Sequence, residues 1–379
     1  MTILYIMKYP LMDDYVLKNK FDGQMDALIN MGHNVFYVAY DHEYTYLMHK
    51  NEKKRIKRTW FSSSKIYIHT KAFFDLYDSV IRIMKERHFD LVYFRLAPLS
   101  MAGIRMCRIL KKNKSKIVVE IPTYPPEKKR NASFIRNLYI QYSDKCWAKI
   151  NNLITLYTLI GDEANEYNGR PAINIDNGIN IDKVKIRKPQ FDNKKIHLLA
   201  VASMSEWQGY DRLINSIAQS DRKIQEQIVF HMIGPDGDGS LVKWKRIVES
   251  NRLEDIVLFH GMLTGKELDP YFDLADVGIC TLGLYRKGLE QASILKLREY
   301  AARGLPFIYA AMDPALSSEE IFCIRVSNDD NLIDMEKIVA FAKEMRKNEE
   351  LPEKIRSYAH KHMSWDYQMA KVINRVNEL

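Results

Sequence analysis

The chain has 379 residues, of which 46% are hydrophobic and 28% charged, and its formal net charge is +9. That length predicts two domains, each able to bury a core, and the composition is that of a soluble globular protein, since no apolar run approaches a membrane span. Cys107, Cys146, Cys280 and Cys323 lie far apart with no metal-ligand spacing, and the histidines form no paired ligand motif, so no zinc site is indicated and buried thiols in a reducing cytoplasm are expected.

Taken in chain order, the segment Thr2-Ile3-Leu4-Tyr5-Ile6-Met7 is too short for a signal-peptide core and lacks a basic leader. It reads as a first strand. Residues 8–22 read as a long polar loop, 23–31 as a helix ended by Gly32, and 35–39 as the next strand. Residues 90–94, 116–121 and 153–157 are further short apolar strands, and strands separated by helical stretches predict a parallel, doubly wound sheet. Asn177-Gly178 is a strong turn signal. Residues 183–194, with five Lys or Arg and a Pro, read as an interdomain linker.

The second half restarts the pattern. Residues 196–202 read as a strand, 210–219 as a helix, and 227–233 as a strand running into Gly234-Pro235-Asp236-Gly237-Asp238-Gly239. Residues 256–259 and 277–282 are strands, 283–293 a loop, 294–303 a helix and 307–310 a strand. Gly304 stands where a left-handed C-cap belongs, and Pro306 prevents helix continuation. The last helix covers about residues 365–377. The fold class is therefore α/β with two Rossmann-like domains, residues 1–185 and 186–379.

The unit spanning residues 277–310 carries the clearest chemistry. Its helix begins beyond the carboxyl end of a strand, where open α/β sheets bind ligands. The helix N-terminus near Ser293 and Leu295 offers free N–H groups to a phosphate. Glu299, about one and a half turns further on, could accept hydrogen bonds from a ribose diol. The geometry suits a nucleotide diphosphate.

Ser293-Ile294-Leu295-Lys296-Leu297-Arg298-Glu299-Tyr300-Ala301-Ala302-Arg303-Gly304-Leu305-Pro306 resembles the donor-site signature of retaining GT-B glycosyltransferases of family 4 (group 1), in the form found in surface-polysaccharide transferases. The resemblance implies two domains facing a cleft, with the last helix packed back on the first. It implies that Glu299 holds the donor ribose. The signature's first Glu, eight residues earlier, works near the donor sugar; here that place holds Gln291, with Glu290 beside it. The element Ser203-Met204-Ser205-Glu206-Trp207-Gln208-Gly209-Tyr210-Asp211-Arg212 resembles the one after the first donor-domain strand. In the family it carries an Arg and a Lys that bind the donor diphosphate, and here those places hold Ser203 and Gln208. Lys296, Arg286 and Lys287 are the substitutes expected for the missing charge.

In the first half, the Gly23-Gln24 segment echoes the glycine-containing loop of such enzymes. Glu120, in Glu-Ile-Pro-Thr-Tyr-Pro, ends a strand that in the resembling family faces the cleft; it is the candidate catalytic carboxylate. Gly23, Arg95 and Tyr124 are acceptor-side candidates. Glu120 and Arg95 could equally form a structural ion pair. Asp236-Gly237-Asp238 looks like the metal-binding Asp-x-Asp of GT-A enzymes, but its Gly and Pro neighbours favour a tight turn. GT-B enzymes generally work without a metal, so no cofactor is expected. His33 and His260 read as structural.

Two basic clusters stand out, Lys53-Lys54-Arg55-Ile56-Lys57-Arg58-Thr59-Trp60 and the segment running from Lys128-Lys129-Arg130 through Phe134 and Arg136 to Trp147 and Lys149. Basic residues mixed with aromatics describe either an interfacial membrane helix or a solvated face over an ordinary core. The reading that results is a cytoplasmic glycosyltransferase, peripheral on the inner membrane face. It moves a sugar, with retention, from a nucleotide-diphosphate sugar to a glycan or lipid-linked saccharide acceptor. One rival is a non-catalytic GT-B-like subunit that partners an active transferase, supported by Ser203, Gln208 and Gln291. A nucleic-acid partner rests on charge alone, with no reading motif, and is not expected.

Overall fold

Strands buried on both faces are mostly apolar, and the central strands of both sheets are, with Glu120 on β6 and His231 on β11 as buried polar exceptions. The computed structural model describes residues 1–10, 18–41, 43–59, 71–125, 134–190, 193–317 and 319–379. It divides into two units, Met1–Asp176 with Trp365–Leu379, and Asn177–Ser364.

In the first unit, β1 (Thr2–Pro10), β2 (Asn34–Tyr40), β3 (Tyr44–His49), β4 (Glu52–Arg58), β5 (Leu91–Arg95), β6 (Lys116–Tyr124), β7 (Leu156–Gly161), β8 (Glu166–Tyr167) and β9 (Arg170–Asn174) form one sheet in the order β4-β3-β2-β1-β5-β6-β7-β9-β8. The central pairs are parallel, and antiparallel pairs at both edges finish it. The helices described here are α1 (Lys18–Asn30), α2 (Lys71–Ile83), α3 (Met101–Lys112), α4 (Phe134–Ile150) and the terminal helix Trp365–Glu378. One sheet face packs beneath α2 and α3 through Leu76, Val80, Ile104 and Leu110. The other packs beneath α1 and the terminal helix through Phe21, Leu28, Trp365 and Val372.

The helix expected from Gly23 begins five residues earlier, at Lys18, where Lys18 pairs with Asp22 at 2.8 Å. Gly23 is therefore inside α1, and a Cβ there would lie 2.1 Å from Cδ1 of Trp365. Its smallness seats the terminal helix, so the glycine-loop resemblance does not describe it.

The structure favours the solvated-face alternative for the cluster Lys53–Arg58. It lies on the edge strand β4, not on a helix; Trp60 lies outside the described residues. Cations on an edge strand discourage pairing with a second sheet. Most are also engaged locally. Lys54 meets Glu86 at 2.8 Å, Lys57 meets Asp75 and Asp78 at 2.8 and 2.9 Å, and Lys53 sits 3.9 Å over the Tyr46 ring.

The second unit is a six-stranded, wholly parallel sheet. Its strands are β10 (Ile196–Val201), β11 (Ile228–Ile233), β12 (Val257–Phe259), β13 (Val277–Ile279), β14 (Phe307–Tyr309) and β15 (Cys323–Arg325), in the order β12-β11-β10-β13-β14-β15. The helices are α5 (Tyr210–Gln219), α6 (Arg222–Gln225), α7 (Ser240–Ser250), α8 (Asp269–Leu274), α9 (Leu295–Arg303), α10 (Met335–Met345) and α11 (Leu351–His362). This is the doubly wound order, and its direction reverses between β10 and β13. No described helix is long and apolar enough to cross a membrane.

The boundary between units falls after Asp176, ahead of the expected residue 185. The cause lies in the supposed linker. Arg187 is buried, donating to the carbonyls of Gly304, at 3.1 Å, and Ala275. The Lys188 N–H donates to Asp273 at 2.7 Å. The described part of residues 183–194 is thus strapped to the second unit.

A histidine ladder crosses three neighbouring strands, with His197 on β10, His231 on β11 and His260 just after β12. His197 Nδ1 is 3.0 Å from His231 Nε2, His231 Nδ1 is 2.9 Å from His260 Nε2, and the Tyr271 hydroxyl lies 3.2 Å from His260 Nδ1. Each contact needs one N–H and one lone pair, which three neutral imidazoles supply, while two adjacent imidazoliums would face N–H against N–H. Burial, followed by its two histidine neighbours, pulls His231 down to about 4. Its folded pKa is depressed, so its contribution is whole above the unfolded value of 6.5 and is lost as pH falls towards 4. The midpoint of thermal unfolding should drop steeply across that window, by on the order of 2 kcal/mol of stability. His231→Gln should flatten the drop; an unchanged pH profile would show that the ladder does not control it.

Candidate functional site

Two loops meet at the switch point of the second sheet, one after β10 and one after β13. They cross backbone to backbone. Gly209 has φ +70°, and a Cβ there would lie 2.5 Å from the Gly283 nitrogen. A Cβ on Gly283 would lie 2.9 Å from the Gly209 Cα. The Leu282 N–H donates to the Gln208 carbonyl at 2.7 Å, locking the crossing. Buried Arg212 holds the outer side through the Leu282, Ser327 and Asn331 carbonyls at 2.7, 3.0 and 3.0 Å. Only glycine permits this approach, so Gly209 serves the site as its geometric hinge.

Beside the crossing lies an unusual cation. Lys296, in the first turn of α9, donates to Gln208 Oε1 at 2.5 Å and to the Tyr210 hydroxyl at 2.8 Å. Gln208 is buried, accepts a second bond from Thr281 Oγ1 at 3.0 Å, and donates to the Ser203 carbonyl at 3.3 Å. No carboxylate pairs with Lys296 among the described residues. Lys296 keeps some solvent contact, yet desolvation pulls its pKa down to about 7. An ammonium held without a counter-ion favours an incoming anion. Ser203 is exposed on the loop after β10, beside Gly237.

The start of α9 is fixed by a buried ion pair. Arg298 and Asp313 are almost wholly inaccessible and form a two-point contact, with Arg298 Nη2 donating to Asp313 Oδ1 at 2.7 Å. Arg298 Nε also donates to the Asn177 carbonyl at 2.9 Å, and Asp313 accepts the Ile294 N–H at 3.1 Å. The Asn177 N–H donates to Ser293 Oγ at 2.9 Å, so that hydroxyl is engaged inside the protein. No side chain caps α9, and Leu295 at its first position is exposed, which leaves the N–H groups of the first turn open to a ligand.

Glu299 lies partly exposed on the same helix, with Oε1 3.1 Å from Arg303 Nε. Arg303 is itself tied to Asp269 at 2.9 Å. Gln291 bridges in parallel to Met312, while Glu290 is exposed and meets Asn328 at 3.3 Å. These two residues thus stand on the rim between β13 and α9.

Of the three expected replacement cations, Arg286 is committed elsewhere. It makes a bidentate pair with Asp211, 2.8 Å at each contact, and meets Asp330 at 3.0 Å. It serves as a loop clamp. Lys287 is exposed, 3.6 Å over the Trp207 ring, with no carboxylate partner among the described residues. Lys296 and Lys287 are thus the two of the three left without a carboxylate partner among the described residues. Asp236 Oδ1 accepts the Gly239 N–H at 2.8 Å, and Asp238 accepts the Glu206 and Ser240 N–H groups at 3.0 and 3.2 Å. Both act as turn residues. Among the described residues no group of three or more His, Cys, Asp or Glu is placed to hold a metal.

In the first unit, Glu120 is wholly buried at the carboxyl end of β6. Its Oε1 lies 2.8 Å from Lys20 Nζ and 3.6 Å from Arg95 Nε. Its Oε2 accepts from Gln24 and from the Tyr93 hydroxyl, both at 2.8 Å. Burial works to raise its pKa, but Lys20, Arg95 and Gln24 hold it below the usual carboxylate value. The catalytic assignment of Glu120 is corrected on this ground: a carboxylate with no exposed surface, one oxygen in ion-pair contact with Lys20 and the other hydrogen-bonded twice, does not reach a substrate. It organises the cations instead. Arg95 keeps Nη1 buried and without a hydrogen-bond partner among the described residues. Tyr124 ends β6, half-buried, 5.9 Å from the Tyr167 ring.

Sequence reading missed Lys20, Arg298 and Asp313. Lys20 was lost with the misplaced start of α1. Arg298 had a usable signal, for it falls three and four residues before Ala301 and Ala302, on the buried face of α9. Asp313 had none, because its partner is supplied by the fold.

Residues 182–362 match the model of the family described as glycosyl transferases group 1. No curated protein sequence matches the chain significantly. Among solved structures the chain is similar to a glycosyltransferase from Rickettsia africae ESF-5, at 13% identity and a TM-score of 0.63, over 100% of this chain and 98% of that one. It is also similar to sucrose-phosphate synthase from Thermosynechococcus elongatus, at 14% identity, a TM-score of 0.60 and the same coverage. A third likeness is to a lipopolysaccharide outer core galactosyltransferase in its apo form, at 12% identity and 0.56, over 100% and 99%. At such identities the likeness shows the fold. Together these findings give an α/β fold of the GT-B glycosyltransferase type, whose second unit carries the match to glycosyl transferases group 1.

The buried ion pair gives a direct test of how the site is held. Arg298→Met leaves Asp313 charged, buried and unpaired, which should cost about 3–5 kcal/mol in denaturant unfolding. A cost below about 1 kcal/mol would show that solvent reaches Asp313 and that the pair does not set the site.

Proposed function

We propose that the second unit binds a nucleotide-diphosphate sugar and that the protein transfers the sugar, with retention, to a glycan or lipid-linked acceptor in surface-polysaccharide synthesis. The observation that carries this reading is the Lys296 ammonium, held without a counter-ion against Gln208 at the switch point. In the resembling family a Lys stands where this chain has Gln208. Here the amide oxygen of Gln208 receives a lysine from another element, so a cation is held at this residue. Lys296, Lys287 and the open N–H groups of α9 bind the diphosphate, Glu299 the ribose, and Glu290 and Gln291 lie towards the sugar. Arg95, with its unpaired donor, and Tyr124 serve the acceptor in the first unit. The acceptor hydroxyl forms its bond to the anomeric carbon on the face from which the diphosphate leaves, and a leaving phosphate oxygen takes the hydroxyl proton. Stabilisation of that leaving group is the main catalytic contribution, and it needs no metal. A lipid-linked acceptor places the protein peripherally on the inner face of an anionic membrane.

The deciding experiment is a panel of nucleotide sugars screened for thermal stabilisation, followed by transfer assays in EDTA. A donor at about 100 times its Kd should add about 2.7 kcal/mol, and transfer should persist under chelation. Transfer lost to EDTA and restored by manganese would overturn the metal-free mechanism. Stabilisation without transfer or donor hydrolysis would instead favour the rival of a non-catalytic partner subunit, to which Ser203 and Gln208 lend support.

The lysine makes a pH prediction. Its charged form binds the diphosphate and exists below its pKa of about 7, so kcat/KM should fall as pH rises through that value. Lys296→Arg should abolish the fall, and Lys296→Met should be weak at every pH. Glu299→Ala should cost about 2–3 kcal/mol in donor binding. A folded Glu299→Ala protein with unchanged donor affinity would remove that carboxylate from the site.

A further inference from the structure

The cations that membrane attachment needs are not the ones the sequence advertises. Those described on β4 are largely spent on Glu86, Asp75, Asp78 and aromatic rings. On α3 and the turn after it, Arg105, Arg108, Lys111, Lys112 and Lys114 are exposed and pair with no carboxylate among the described residues. No acidic residue occurs between Met101 and Val119.

These cations border an apolar groove. A depression of about 560 Å³ runs between α2 and α3, floored by Phe74, Met101 and Ile104, with Arg105, Arg108 and Lys112 along it. Asp78, an acidic group in the wall, is neutralised by Lys57 at 2.9 Å and Arg82 at 3.3 Å. The apolar surface continues past the groove. Met101 is 56% exposed, and Leu138 and Tyr142 on α4 are 51% and 42% exposed. The Tyr142 side chain reaches the Met101 backbone, so the two helices present one patch. An apolar groove with an unpaired cationic border complements an ion with an apolar body, which is the chemistry of an anionic phospholipid. A water-soluble anion would use the cations and leave Phe74, Met101 and Leu138 uncovered.

We propose that the α2–α3 groove, with Arg105, Arg108 and Lys112, docks the first unit on a bilayer surface containing anionic phospholipid. This rests on the peripheral-membrane part of the function proposed above and gives it a location. Apolar side chains enter the headgroup boundary while the three cations hold phosphates. The full chain would be co-sedimented at low salt with vesicles of phosphatidylcholine, with and without phosphatidylglycerol. It should bind the anionic vesicles, release with salt, and stay in solution with the neutral ones. Each cation near such a surface is worth about fivefold, so the triple variant Arg105→Ser, Arg108→Ser, Lys112→Ser should bind on the order of 100-fold more weakly. Met101→Ser should weaken binding while keeping its salt dependence. The triple variant should retain nucleotide-sugar stabilisation, which lies in the other unit and reports its folding. If the triple variant binds normally while Lys53→Ser with Lys54→Ser abolishes binding, the groove is overturned and the membrane reading survives. If the wild-type protein ignores anionic vesicles, both fail. Binding to neutral and anionic vesicles alike would overturn the role of the cations.

Discussion

The start of α9 in the second unit depends on the Arg298–Asp313 pair. One guanidinium holds the Asn177 carbonyl, one carboxylate holds the Ile294 N–H, and between them they set where α9 begins. Burying two charges is expensive and is tolerated only when their remaining hydrogen-bonding capacity is also met. Here that requirement draws three distant segments together: the Asn-Gly turn, the loop before α9 and the loop after β14. The result is a helix end with no side-chain cap, at fixed distance from the glycine crossing of Gly209 and Gly283.

With the frame fixed, the distribution of charge around it can be rearranged without losing the site. Cations move between elements as long as they converge in space. Gln208 turns a place that the resembling family gives to lysine into an acceptor, and Lys296 comes to it from a different helix. Arg286, close in sequence to both loops, is drawn away by the better geometry of a bidentate carboxylate pair with Asp211. The same competition operates in the first unit. Glu120 gathers Lys20, Gln24, Tyr93 and Arg95 about one buried carboxylate, and Arg95 keeps one donor without a hydrogen-bond partner among the described residues.

The alternating pattern of apolar runs and amphipathic stretches determined the architecture from the chain alone. Strands buried on both faces are mostly apolar, and parallel neighbours need helical crossovers, so two doubly wound sheets followed. Boundaries were close where capping chemistry is local, as at Tyr210–Gln219 and at Gly304. They failed where the deciding partner is remote. Lys20 in the first turn of α1 is held by Glu120, and the strapped segment after residue 182 by Gly304, Ala275 and Asp273, contacts that no window of sequence contains.

Motifs likewise determined where a ligand site should be, because a helix end beyond a parallel strand is a local construction. Which side chains are free to act there was decided only by the tertiary structure. Glu120, Arg286 and Lys296 are all ionisable residues near strand ends or loops, and nothing in their neighbourhoods separates them. In the folded chain one is sealed inside, one is clamped to a carboxylate, and one is held without a counter-ion. The energy of a charge is set by what surrounds it within a few ångströms, and those surroundings are assembled from residues tens to hundreds of positions away.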